Sequence, residues 1–192
     1  MIRYIQEECK ALFLVIKMFS CGTLYLLLRE RNPLNETDLR LPIFFYCIAV
    51  LTHSILIHRV KDLENLRLTF YRTLPIPLAH RFANYASFYF CLFVPEIVML
   101  ISLTPAHLTY AESGWFIFFG YGLLLMLNSL QLYNYSGLRE YLKTVMQFFV
   151  VFALALIPGW YVAFSIIILI LAIVLFFTRY YRFEPYPNNV MR

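Results

Sequence analysis

The sequence predicts an all-α fold: a polytopic helical membrane protein with six transmembrane helices. Three observations carry that expectation. Of 192 residues, 61% are hydrophobic and 14% charged, against about 25% charged in soluble domains. The charges gather between long apolar runs instead of alternating with them. At about 20 residues per helical span, a chain of 192 residues holds about six spans and leaves no room for a folded extramembrane domain. Residues 1–192 are therefore expected to form a single transmembrane domain.

The expected spans are residues 11–28, 41–57, 82–103, 115–132, 138–157 and 160–177. The first follows a charged segment with Arg3, Glu7, Glu8 and Lys10, and is interrupted by Lys17. No small-residue cleavage site follows its apolar run, so it is expected to remain in the mature chain. The second ends at a basic cluster that opens with Arg59, and the third contains Pro95-Glu96. The fourth is apolar apart from Asn128, Ser129 and Gln131. Residues 148–177 carry no charge and run longer than one helix needs, but Pro158-Gly159 lies inside them as a turn signal. Two helices joined by a tight hairpin are expected there. The fifth span takes residues 138–143 as an interfacial first turn, with Gln147 turned to protein or water.

Orientation follows from the basic residues. One side collects Arg3, Lys10, Arg59, Lys61, Arg67, Arg72, Arg81, Arg139, Lys143, Arg179, Arg182 and Arg192, and Lys17 if it snorkels; the other has Arg29, Arg31 and Arg40. Both termini and the loop after span two are therefore expected in the cytoplasm, with the chain in the plasma or inner membrane. Trp115 and Trp160 then fall at the outer interface, and Tyr133, Tyr135, Tyr141, Tyr180 and Tyr181 at the inner one, as aromatic belts require.

Several chemistries are not supported. Cys9, Cys21, Cys47 and Cys91 lie within or beside apolar runs and read as small hydrophobes. The net charge of +5 is what membrane orientation itself requires, so no nucleic-acid partner is expected. The glycines at 22, 114, 120, 122, 137 and 159 never form a phosphate-gripping loop. His53 and His58 fall on different helix faces, while His80 and His107 lie in loops on opposite sides. Asp38 and Asp62 are both in loops, and no Gly-flanked serine pairs with a helical histidine. No cofactor is expected, nor enzymatic activity in this chain. Asn35-Glu36-Thr37 reads as a chance match to a glycosylation acceptor.

Two features stand out. Glu96 is the one acidic residue in the interior of an expected span, Glu140 falling in the interfacial first turn of the fifth, and such a group faces the bundle interior by default. It is a pathway candidate together with Asn128, or a structural partner of Asn128, Ser129, His53 or Lys17, or a residue at the outer interface. The second feature is the stretch 59–81. Val60, Leu63, Leu66, Phe70 and Leu74 recur at helical spacing, with Lys61, Asp62, Glu64, Asn65, Arg67 and Arg72 around the other face. This predicts an amphipathic cytoplasmic helix between spans two and three, stopped by Leu74-Pro75-Ile76-Pro77 because each proline holds its predecessor extended. Lying on acidic headgroups is one reading of that helix.

At this stretch the chain resembles the permease subunits of type-2 ABC transporters. Thr69-Phe70-Tyr71-Arg72-Thr73-Leu74-Pro75-Ile76-Pro77 looks like their Arg-x-Leu-Pro-hydrophobic segment, and the paired apolar pieces at the C-terminus look like their closing hairpin. Two departures are visible: the segment before span one ends near Lys10, and Lys17 interrupts that span. The resemblance implies half of a substrate pathway, driven by a separate ATP-binding subunit and paired with a second permease copy or paralogue. It implies docking of the ATPase on Leu63, Leu66, Phe70 and Leu74 as apolar anchors, Arg67 and Arg72 as polar contacts, and Pro75 in the elbow. A non-transporting scaffold or assembly subunit and a small secondary transporter using Glu96 are the other readings.

Overall fold

The computed structural model describes residues 7–29, 40–67, 74–104, 108–133, 137–156 and 160–182. Among the described residues seven helices run α1 (Lys10–Arg29), α2 (Arg40–Leu51), α3 (His53–Arg67), α4 (Leu78–Ser102), α5 (Tyr110–Leu130), α6 (Leu138–Leu156) and α7 (Tyr161–Arg179), followed by a 3-10 turn at Tyr180–Arg182. No strand occurs among the described residues. This is the architecture of a helical membrane protein. Among the described residues four stretches are long and apolar enough to cross a bilayer: Ile43–Asn65, Leu78–Ser102, Tyr110–Leu130 and Val162–Arg179. The sequence reading expects six; α1 and α6 are not among the four.

Local chemistry explains where the helices begin and bend. α4 starts after Leu74-Pro75-Ile76-Pro77, with Pro77 extended at φ −54° and ψ 139°. α5 opens on a capping box: the Glu112 amide donates to the Thr109 hydroxyl at 3.3 Å and the Thr109 amide donates to Glu112 Oε2 at 2.8 Å. Between α2 and α3 the chain turns only at Thr52. There the Thr52 hydroxyl donates to the Ala49 carbonyl at 2.6 Å, and the next side chain, His53, places Nδ1 3.1 Å from the Val50 carbonyl. Side chains that bond carbonyls of the preceding turn bend helices without ending them.

That continuity corrects one expectation. Residues 58–67 do not begin a separate helix; they continue α3, and those up to Asn65 belong to the candidate span Ile43–Asn65, while residues 68–73 of the expected helix lie outside the described residues. Val60, Leu63, Lys61 and Glu64 are all buried, so two of the polar residues expected around the other face, Lys61 and Glu64, enter the bundle. They can do so because Lys61 Nζ lies 3.0 Å from Glu64 Oε2, one turn away, and the pair is neutral.

α5 is the central helix. Its residues from Leu123 to Leu130 are all buried, and it packs on α2, α3, α4 and, most extensively, α7. Gly120 permits the contact with α2 and α4, since a Cβ there would overlap the Tyr46 hydroxyl and the Phe93 ring. At Gly122, by contrast, a Cβ would make only ordinary van der Waals contact with Ser165, Ile168 and Leu169 of α7. Small residues of this kind let membrane helices approach closely, where no hydrophobic force separates helix from lipid. The outer helices show apolar side chains outward, among them Leu14, Val15 and Met18 on α1, Met146 and Val150 on α6, and Ile170 and Val174 on α7.

Candidate functional site

α1 turns Ile16, Lys17, Ser20 and Leu24 inward, positions one helix face apart, while Val15 and Met18 point out. This carries the Lys17 ammonium toward α3 and α4. His53 is the first residue of α3, at the bend, and Glu96 follows Pro95 in the C-terminal third of α4. Lys17 Nζ donates to Glu96 Oε1 at 2.8 Å and to Oε2 at 2.7 Å, and lies 2.9 Å from His53 Nε2. His53 Nε2 is also 3.3 Å from Glu96 Oε1. His53 and Glu96 are fully buried and Lys17 nearly so.

The hydrogen-bond count closes. With His53 Nδ1 carrying a proton toward the Val50 carbonyl, Nε2 offers a lone pair. The ammonium's three hydrogens then have three acceptors, two carboxylate oxygens and one imidazole nitrogen. Neutral His53 leaves the group without net charge, which is the condition for holding ions out of water. Glu96 thus faces the bundle interior and is partnered by two of the four residues named for it, Lys17 and His53. Lys17 does not snorkel.

Asn128 is placed elsewhere. It accepts a 3.0 Å hydrogen bond from the Tyr89 hydroxyl, about two helical turns before Glu96 on α4. Ser129 donates to the Ala172 carbonyl at 2.8 Å, tying α5 to α7. Glu96 and Asn128 are therefore not joined by a hydrogen bond to each other, and each belongs to its own contact.

A second polar centre lies at the elbow between α3 and α4. Arg81, in the first turn of α4, is the largest fully buried side chain. Its Nη2 donates to the Leu74 carbonyl at 2.6 Å, its Nε to the Ile76 carbonyl at 3.2 Å, and its Nη1 to the Tyr180 hydroxyl at 2.9 Å. Tyr180 follows α7 and packs on Phe176, with ring centroids 5.0 Å apart. One guanidinium thus fastens the proline elbow, the start of α4 and the end of α7 together. Beside it, Lys61 Nζ lies 5.8 Å from the centroid of the Tyr85 ring.

Of the residues expected to meet an ATPase, Leu63 is buried in the bundle, while Leu74 and Pro75 are exposed on the elbow. Leu66 and Arg67 close α3, with side chains outside the described set, and Phe70 and Arg72 lie outside the described residues, as does Pro158-Gly159. Sequence reasoning missed Arg81 as a site residue. Its signal was there: an arginine four residues after a Pro-x-Pro elbow, at a helix start, where the elbow's carbonyls need donors. Among the described residues no three His, Cys, Asp or Glu side chains group as a metal site.

No family model, curated protein or solved structure matches the chain.

Proposed function

We propose that this chain is the permease half of an ATP-driven transporter of the type-2 ABC class, with six spans, both termini cytoplasmic and ATP hydrolysed on a separate subunit. The observation that supports this reading is the Arg81 clamp. A partner pressing on the elbow at Leu74–Pro77 would push α4 and α7 as one body, because Arg81 bonds both elbow carbonyls and Tyr180. A transporter driven from outside the membrane needs a rigid link of this kind. Leu74 and Pro75 are exposed where such a partner would dock. The helices α1 and α6, of 20 and 19 residues, are long enough to complete the six-span layout.

Co-purification from mild detergent tests the reading. Wild-type protein should bring down a nucleotide-binding subunit, and Leu66→Glu and Phe70→Glu should lose it. Absence of any such subunit from a preparation that keeps the complex intact sinks the proposal. The competing reading is a secondary transporter with Glu96 as proton site, favoured by the titratable His53 beside it. Uptake driven by a pH gradient into vesicles holding this chain alone would support that alternative.

A further inference from the structure

The group formed by Lys17, His53 and Glu96 joins three helices through bonds that leave no spare acceptor for the ammonium. Lys17 spends its three hydrogens on Glu96 Oε1, Glu96 Oε2 and His53 Nε2. A proton arriving at His53 Nε2 would therefore occupy an acceptor already in use. The new N–H has a ready partner in Glu96 Oε1 at 3.3 Å, so the imidazolium would take over part of the carboxylate that now holds Lys17. The group would pass from net zero to one positive charge in a buried site, and two cations 2.9 Å apart repel.

What loosens is α1. It is an outer helix that touches α2, α3 and α4 along one face and turns Leu14, Val15, Met18 and Phe19 outward. Lys17 is its one charged tie to Glu96 and His53, and the remaining inward contacts, among them Leu12, Phe13, Ile16, Ser20 and Leu24, carry no charge and gain no hydrophobic drive over lipid.

We propose that Lys17, His53 and Glu96 form a proton-operated latch: uptake of one proton at His53 Nε2 exchanges Lys17 for His53 on Glu96 and releases α1 from α3 and α4. The ligand is the proton, and the site binds it whichever energy source drives the protein. Other groups facing Glu96 do not compete for this role. Cys21 on α1 and Tyr46 on α2 lie within its electrostatic reach, but thiols and phenols stay uncharged where imidazole titrates. What α5 turns toward Tyr46 is apolar: Phe116, Phe119 and Gly120.

The test measures the separation of α1 from α4 directly. Nitroxides on genetically encoded ketone residues at Tyr25 and Val98, both exposed, leave the native cysteines untouched. Electron–electron resonance in lipid nanodiscs then compares about pH 8 with about pH 5, the range over which histidine changes charge. The wild-type distance should move or broaden by about 2 Å or more at low pH, the size of a helix shift. His53→Gln, which keeps an acceptor for Lys17 without a titratable nitrogen, should hold the high-pH distance at both. A wild-type distance indifferent to pH overturns the latch. An equal shift in His53→Gln overturns the assignment of the proton to His53.

Discussion

Lys17 and Glu96 stand 79 positions apart in sequence and meet with Nζ 2.7 Å from Oε2 inside an apolar bundle. The pair joins α1 to the C-terminal third of α4, and its energetics follow from burial. An ion pair out of water adds little net stability when intact, but removing one member strands the other.

Glu96→Gln is accordingly expected to destabilise the protein by about 3–5 kcal/mol, because the ammonium loses its counter-charge. Adding Lys17→Met should restore most of the loss. Thermal unfolding in detergent of both single variants and the double variant reads the coupling. A Glu96→Gln protein as stable as wild type would mean the pair does not hold α1 in place.

Gly120→Ala should cost about 1–3 kcal/mol, since the new methyl meets the Tyr46 hydroxyl and the Phe93 ring. Gly114→Ala and Gly22→Ala meet nothing within 4 Å and should be neutral or stabilising by up to about 1 kcal/mol from helix propensity. Melting temperatures of the three variants give the comparison; equal effects at Gly120 and Gly114 would contradict the packing of α5 on α2.

Arg81→Gln should free the elbow. The expected sign is faster cleavage between residues 67 and 78 by a protease added to detergent-solubilised protein, with Tyr180→Phe showing a smaller effect from one lost hydrogen bond, about 1 kcal/mol. Unchanged cleavage in Arg81→Gln would show that the carbonyls of Leu74 and Ile76 do not need the guanidinium.

Sidedness can be read by thiol labelling. Tyr110→Cys is the suitable reporter for the outer side because Tyr110 is 79% exposed, whereas Ser113 is buried against Thr104. The basic residues predict that an impermeant maleimide added outside reaches Cys at 110 and misses Cys at Leu74. The reverse pattern would invert the proposed orientation.

The helical layout was legible because long apolar runs and their breakers are local signals. Pro75 and Pro77 marked the break before α4, whereas the capping box of Thr109 and Glu112 that opens α5 five residues ahead of the expected span was not read. Glu96 was legible as an inward-facing residue for the same reason: a carboxylate in lipid has nowhere else to go. Its partners were legible only as candidates: Lys17 and His53 stood beside Asn128 and Ser129 with nothing local to choose among them, since all come from helices far away in sequence. Periodicity says which residues share a face and nothing about what opposes that face. The same blindness hid Lys61 and Glu64. Each is hydrophilic alone, and their ion pair one turn apart helps both to sit inside the bundle on α3. Arg81 was hidden because its acceptors are backbone carbonyls and a tyrosine 99 positions away.

The bond from Ser129 to the Ala172 carbonyl bears on how the chain is made. α5 is synthesised well before α7, yet α7 covers it most extensively and accepts its hydroxyl proton. During translation the future centre of the molecule waits at the membrane without the α7 residues that Gly122 and Ser129 later meet. Maturation is thus paced by the last of the described helices to emerge. A nascent chain halted before residue 160 would present an unfinished middle, and the cell's membrane proteases would meet a substrate defective at its core rather than one merely shortened at its end.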